Sequence, residues 1–343
     1  MSAAASEAPV VAPASPPAPK SAPAAPRQSV VVSALSLAAL VTAVAAYFFP
    51  LWWVSLTAPN YPADAFPDGI RIFFSFTGVS NGCTTAPKAS RLMKETQQED
   101  LGWRTPEGTI DEQGGAKNDA ILDCMNEMNT INHYVGMHPI GVGAPVERLV
   151  SKYLIAFLAV SLLGLALGAQ KPRVVVLAVG YLATAAWLFV DLFARGGLKD
   201  HVATYISDAG KYFREPERIA HWGENLEHAV IAVSIGLVLV MVAMVVANLK
   251  WPRAQLLLGL GPALLPVFFV GAYAGWLYFF GHNLHPWGAF TVKPFMPTVF
   301  GDGKVAQFST HSYPLPAFAL VVATSLLSLA ALARRRLEFP KEA

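Results

Sequence analysis

Six long apolar runs, separated by polar segments, set the pattern of the chain. They cover residues 30–49, 149–169, 174–193, 229–249, 256–280 and 315–333. Each offers roughly the 20 apolar residues that a helix needs to cross the hydrocarbon layer of a bilayer. The pattern therefore predicts an all-α membrane protein with six transmembrane helices.

The composition agrees with this prediction and argues against other classes of protein. Hydrophobic residues make up 54% of the 343 residues and charged residues only 14%, against about 25% charged in an average soluble domain. The formal net charge of +2 and the lack of a single basic stripe argue against nucleic-acid binding. The sequence has no phosphate-binding GxxxxGKS or GxxxxGKT loop, so an ATP-driven pump in one chain is not expected.

Basic residues mark one side of the expected membrane. With six spans, the N-terminal segment, two short loops and the end of the last span all fall on that side. Their basic residues are Lys20, Arg27, Lys171, Arg173, Lys250, Arg253, Arg334, Arg335 and Arg336. The positive-inside rule makes this side cytoplasmic, so we expect both termini in the cytoplasm and the three other connecting segments outside.

The polar segments divide the chain into five parts. Residues 1–28, rich in Ala, Pro and Ser, are expected to form a disordered cytoplasmic tail. Residues 29–50 form the first span, 51–148 an outer domain, 149–336 a five-helix bundle with two outer loops, and 337–343 a cytoplasmic tail. The alternative for the first run is a signal peptide cleaved after the small residues at 43–45. The bulky aromatic cluster that ends this run favours an uncleaved span.

The outer domain between spans one and two is expected to be small and mixed α/β. Residues 69–76 partly alternate and are rich in aromatic and β-branched side chains, which predicts a strand. Residues 114–130 are predicted as a loop that runs into a helix. Cys83 and Cys124 are the only cysteines, and export to an oxidising compartment predicts a disulfide between them. A thiolate metal site is the alternative, although no CxxC spacing is present.

All eight histidines fall outside the expected membrane or at its outer boundary. They are His133, His138, His201, His221, His228, His282, His285 and His311. One interpretation is that the outer segments simply hold most of the polar residues. The other is a metal site, for which local spacing gives three candidate groups.

The first group is His133, Met137 and His138. His133 and Met137 lie four residues apart and would share a face if this segment is helical. Imidazole together with a thioether is a donor set that suits Cu(I). The alternative is that these side chains serve packing and hydrogen bonding.

The second group is His282 and His285, three residues apart just past span five, where they would be neighbours on a helix end. The third group precedes span four and consists of His221, Glu224 and His228. A carboxylate between two imidazoles is typical of a metal ligand set, or of a histidine with an orienting partner. A polar collar on the outer membrane surface is the alternative.

Two further features bear on function. Asp191 is the most deeply embedded acid, and an ionisable group at that depth is expected to have a partner inside the bundle. Haem competes with copper as the expected cofactor. The spans hold no histidine away from their outer ends, so only a haem near the outer surface, for instance between His228 and His282, fits the sequence.

Two stretches carry a resemblance to a known family. Residues 129–137 read NTINHYVGM and residues 56–62 read LTAPNYP. They resemble the signature of the NosB-like membrane proteins that are encoded in clade II nitrous oxide reductase gene clusters. Residues 293–301 and 306–314 are also similar to such proteins. The resemblance covers about a fifth of the chain, and residues 82–119 form a long insertion relative to it.

The resemblance implies a place in the bacterial inner membrane near a periplasmic copper redox enzyme. We therefore expect a non-enzymatic accessory factor for copper handling or assembly, with the copper enzyme or its maturation proteins as partners. The first alternative is a membrane electron-transfer component that passes quinol electrons to a periplasmic reductase. The second alternative is a small-solute permease.

The expected orientation is tested by reporter fusions. Fusions after Arg173, Arg253 and Arg336 should report the cytoplasm, and fusions near Gly114, Lys211 and Gly303 should report the outside, because basic loops stay on the cytoplasmic side. A cytoplasmic signal from any of the last three would break the six-span topology.

Overall fold

The computed structural model describes residues 29–63, 66–84, 103–104, 121–286, 288, 292–305 and 307–339. The helices are α1 (Val30–Tyr47), α2 (Cys124–Tyr134), α3 (Pro145–Leu165), α4 (Gln170–Phe189), α5 (Gly197–Gly210), α6 (Pro216–Lys250), α7 (Leu260–Ala263), α8 (Leu265–His282) and α9 (Phe318–Glu338). The strands are β1 (Trp52–Thr57), β2 (Ile70–Ser75), β3 (Gly78–Asn81), β4 (Trp103–Arg104), β5 (Ile121–Leu122), β6 (Gly301–Val305) and β7 (Phe308–Pro314). Both predicted tails lie outside the described residues, apart from 337–339.

Five described helices are long and apolar enough to cross a membrane, namely α1, α3, α4 with its continuation to Ala194, α6 and α9. A sixth span exists if Pro252–Ala263 and α8, bent by 45° at their junction, count as one. The fifth run, predicted over 256–280 as one span, is therefore not a single straight helix. Pro262 and Pro266 lie at the break, where prolines remove backbone donors and crowd the preceding turn.

The first helix is an integral part of the bundle. Its small residues Ala39, Ala43 and Ala46 are buried, and Thr42 Oγ1 lies 2.8 Å from Thr324 Oγ1 of α9. Small side chains let two helix backbones approach closely in a bilayer. Ala43, in the small-residue stretch considered for cleavage, thus lies inside a packed helix.

One five-stranded antiparallel sheet lies at the end of the bundle where α1 ends and α9 begins. Its strand order is β3-β2-β1-β7-β6. The predicted strand over 69–76 is confirmed as β2. We expected the outer domain to consist of residues 51–148 alone. The sheet is larger, because β6 and β7 come from the segment that precedes α9. We call this the sheet end of the bundle.

Trp52 anchors the sheet on the helices. Its ring packs 5.8 Å from that of Tyr273 and 5.4 Å from that of Phe318. Its Nε1 donates a 2.9 Å hydrogen bond to the buried Ser312 Oγ of β7. Alternate residues of β2 are buried in the same core, as the two-residue period of a strand requires.

The opposite end carries the basic residues. Gln255 Oε1 accepts hydrogen bonds from Arg173 Nη1 at 2.7 Å and from Arg335 Nε at 2.9 Å. The Ser29 backbone N–H donates to Glu338 Oε1 at 3.1 Å. Arg173 and Arg335 belong to two of the basic clusters, and Gln255 lies just after the third. All three clusters therefore lie at the same end of the bundle, as six spans predict. We call this the arginine end.

The predicted disulfide between Cys83 and Cys124 is present, with Cα atoms 5.9 Å apart. It fastens the chain after β3 to the first residue of α2, and both cysteines of the sequence are used, so the thiolate metal site is wrong. Closing a loop of 41 residues stabilises the fold by about 3–4 kcal/mol in the chain-entropy model. Residues 85–102 and 105–120, most of the insertion, lie outside the described residues.

The disulfide leads to a labelling prediction. In the native protein both cysteines should resist alkylation and become reactive only after reduction, as mass spectrometry of the labelled peptides would show. Alkylation before reduction would contradict the pairing.

Candidate functional site

Three histidines from distant parts of the chain meet at the sheet end around the ring of Phe213. Ring centroids of His133 and His138 lie 5.8 Å from that of Phe213, and the centroid of His285 lies 5.0 Å from it. We call His133, His138 and His285 the histidine cluster. The first candidate group therefore converges with one member of the second, His285.

The end of α2 sets this geometry. Asp123 caps the helix, since its side chain accepts from Asn126 N at 3.0 Å, and α2 ends at Tyr134. Gly136 then has φ of +78°, a conformation that glycine adopts without a steric cost. The expectation that His133 and Met137 share a helix face is therefore wrong, because Met137 lies beyond the end of α2.

Gly136 also docks the segment that follows α8. The His285 backbone N–H donates to Gly136 O at 2.7 Å. A Cβ atom at position 136 would lie only 2.4 Å from His285 O. The glycine of the HYVGM motif thus has a structural role: it allows two outer segments to touch.

His138 is enclosed by aromatic rings. Its side chain is buried, and its ring lies 3.9 Å from that of Trp222 and 6.0 Å from that of Phe280. Burial, with smaller contributions from Arg218 and His285, lowers the pKa of His138 to about 4. This imidazole is therefore neutral at physiological pH.

His133 is less enclosed but shares one feature with His138. Burial, with a smaller contribution from His285, lowers the pKa of His133 as well. In both rings Nδ1 is buried and has no hydrogen-bond partner among the described residues. A buried polar atom without a partner is costly, so these two nitrogens call for a functional explanation.

His285 has a carboxylate partner. Its Nε2 lies 2.9 Å from Glu215 Oε2, and its side chain is only 1% exposed. Glu215 directly precedes α6 and also lies 3.7 Å from Arg218 Nη1. A carboxylate on one ring nitrogen fixes the orientation of an imidazole.

His282 lies outside the cluster. Helix α8 ends at this residue, so His282 and His285 are not side by side on a helix as expected. His282 Nδ1 lies 2.9 Å from Tyr278 O, and its ring stacks on Tyr278 at 3.8 Å. It is exposed.

The third candidate group lies on an exposed face of α6, away from the histidine cluster. His221 Nδ1 is 3.7 Å from Glu224 Oε2, with both side chains about 70% exposed. His228 is exposed too. The other histidines have local partners: His201 Nε2 lies 2.7 Å from Pro145 O, and His311 Nδ1 lies 2.6 Å from Asp302 Oδ1.

Within the part of the chain that the structure describes, no three His, Cys, Asp or Glu side chains are arranged to hold a metal ion. Any metal at the histidine cluster must therefore use fewer such ligands. The two unpartnered Nδ1 atoms are the nitrogen donors that the fold offers. Met137, which directly precedes His138 and is also buried, carries a thioether sulfur.

Asp191 has the partners that its depth predicted. It forms an ion pair with Lys152 of α3 and accepts a 2.5 Å hydrogen bond from Tyr153 OH. It lies in the π-helical turn Val190–Ala194 that continues α4, and such turns occur frequently at functional sites.

Sequence reasoning missed the residues that enclose the cluster, Phe213, Glu215 and Trp222. Glu215 and Trp222 come just before and just after the start of α6, next to the exposed group that drew attention. The aromatic and acidic residues at the start of α6 were a signal. Only the fold shows that Phe213 and Trp222 contact His138 and that Glu215 contacts His285. No known protein family, curated protein or solved structure matches this chain.

The role of Gly136 can be tested. Gly136→Ala should lower the free energy of unfolding by at least about 1–2 kcal/mol, the cost of a left-handed conformation in a residue with a Cβ, with the contact to His285 O adding to it. Thermal unfolding in detergent measures this. Gly196→Ala is the matched control, because Gly196 has a similar φ of +81° but a Cβ there meets nothing within 4 Å; equal effects at both positions would contradict the docking role.

Proposed function

We propose that this protein is a membrane accessory factor that binds Cu(I) at the histidine cluster and serves a periplasmic copper redox enzyme. The buried Nδ1 atoms of His133 and His138, without hydrogen-bond partners among the described residues, carry this proposal. A metal ion would give both nitrogens the partner that they lack.

The donor chemistry favours copper over zinc. A structural zinc site needs four ligands, mostly Cys and His, and the described residues offer no such group. Cu(I) is soft and accepts imidazole and thioether donors in low-coordinate sites. His133 and His138 would supply the imidazoles and Met137 the thioether.

The surroundings of the two imidazoles suit this role. Both pKa values are lowered by burial, so the rings are neutral and able to donate a lone pair. The aromatic rings around His138 keep water away from the ion. His285, held by Glu215 at 2.9 Å, would sit beside the site as an oriented neighbour.

The resemblance of the HYVGM motif to proteins of nitrous oxide reductase gene clusters supplies the proposed partner, a copper enzyme of that kind or its maturation proteins. Delivery or assembly fits a site at the sheet end of the bundle. We place this end in the periplasm on the basis of the basic residues at the other end.

The experiment is a competition titration with a Cu(I)-specific chelator, using protein purified in detergent under ascorbate. The native protein should bind a single Cu(I). His133→Ala should weaken binding by more than the roughly 10–100-fold that loss of an outer-shell partner costs. His282→Ala is the control and should bind as the native protein does.

Two outcomes would overturn the proposal. One is a native protein that binds no copper above the level of His133→Ala. The other is a Soret band in the optical spectrum of the purified protein, which would instead favour haem and electron transfer.

In cells, His133→Ala should also reduce the copper content of the partner enzyme without changing the amount of this protein in the membrane.

A further inference from the structure

A groove lies between the sheet and α8, on the other side of Phe280 from the histidine cluster. Its cavity volume is about 70 Å³, room for several water molecules and so for one ring, and well below the roughly 300–1,000 Å³ of a site that encloses a whole drug-sized ligand. Strands β2 and β3 form one wall, α8 forms the opposite wall, and the start of α3 lies at one end.

The groove is open at the level where the spans begin. Phe268, 46% exposed, lies at its mouth. The neighbouring Phe269 packs 5.6 Å from Phe76 and 5.8 Å from Phe318, the first residue of α9. Phe76 in turn stacks on Tyr47, where α1 ends. The mouth is therefore at the expected membrane boundary, within reach of a lipid-soluble molecule.

The walls are aromatic, and the end formed by the start of α3 is polar. Phe74, Phe76, Tyr273, Trp276 and Phe280 line the interior. Glu147 lies at the polar end, where its Oε2 accepts a 2.8 Å hydrogen bond from Trp276 Nε1. Trp276 is eight residues along α8 from Phe268, so the carboxylate lies about 12 Å from the mouth.

This arrangement selects the kind of ligand. Flat aromatic walls favour a flat ring through offset or edge-to-face packing. The Trp276 bond leaves Glu147 Oε1 as an acceptor for a hydroxyl group. An anionic phospholipid fits less well, because Arg148, the residue after Glu147, is the only cation among the described residues that line the groove.

We propose that the groove binds a lipid-soluble hydroquinone. Its ring lies between the aromatic side chains, one hydroxyl donates to Glu147, and its isoprenoid tail leaves past Phe268 into the bilayer. This proposal does not rest on copper binding, because none of the three cluster histidines lines the groove.

The test is isothermal titration calorimetry of the detergent-purified full chain with decyl-benzoquinol and with its oxidised quinone. The quinol should bind saturably and more tightly, because the quinone has no hydroxyl to donate. Glu147→Gln should weaken quinol binding roughly tenfold, since a bond to a charged acceptor is replaced by one to a neutral amide. Glu224→Gln on the exposed face of α6 is the matched control and should have no effect.

A second pair of variants tests the groove itself. Ala272→Trp places a large ring in the groove and should abolish binding, while Phe268→Ala at the exposed mouth should weaken it. An intact disulfide and an unchanged elution volume verify that each variant is folded. His133→Ala should leave quinol binding unchanged, so failure of the copper proposal and failure of this one are distinguishable.

Several outcomes would overturn the proposal. These are no saturable quinol binding to the native protein, equal affinity for quinol and quinone, or equal affinity in the native protein and Glu147→Gln. Lipid extraction adds another: a phospholipid that co-purifies with the native protein, is absent from Ala272→Trp, and is not displaced by quinol would make the groove a phospholipid site.

Discussion

The pairing of β1 with β7 is the contact on which the sheet end depends. It runs from Trp52 opposite Pro314 to Thr57 opposite Ser309, and so joins the strand after the first helix to the strand before the last. Because α1 also packs along α9, the two ends of the described chain are held together both in the bundle and in the sheet. The strands that line one wall of the groove belong to the sheet that this pairing completes.

The sequence predicted the elements that depend on local pattern. Apolar runs of span length gave α1, α3, α4, α6 and α9, and the alternation over 69–76 gave β2. Pairing across the whole chain is not local, so nothing in the polar stretch 301–314 indicated that it would complete a sheet begun by residues 52–57. Pro262 and Pro266 indicated a break in the fifth span, because proline disrupts a helix locally. The span was predicted from mean hydropathy over about 20 residues, and that average does not respond to two prolines.

The candidate site, too, was predictable only where it depends on local pattern. The motif singled out His133 and His138, and their convergence with His285 followed from the expected topology. Helix periodicity failed where the helices end: α2 stops at Tyr134 and α8 at His282, so Met137 and His285 lie outside the helices on which their spacing was judged. Gly136 marks the first of these ends, because its φ of +78° ends the helical path and lets the backbone of His285 approach.

Phe280 gives the two proposed sites a common boundary. Its ring lies 6.0 Å from that of His138 and 5.6 Å from that of Trp276, so this side chain lies between the cluster and the groove. A ligand in one site can change affinity in the other only if it changes contacts that the other uses, and Phe280 is a residue that both use. Bound quinol that shifts this ring would alter the packing around His138, whereas a ring that stays fixed would leave the sites independent.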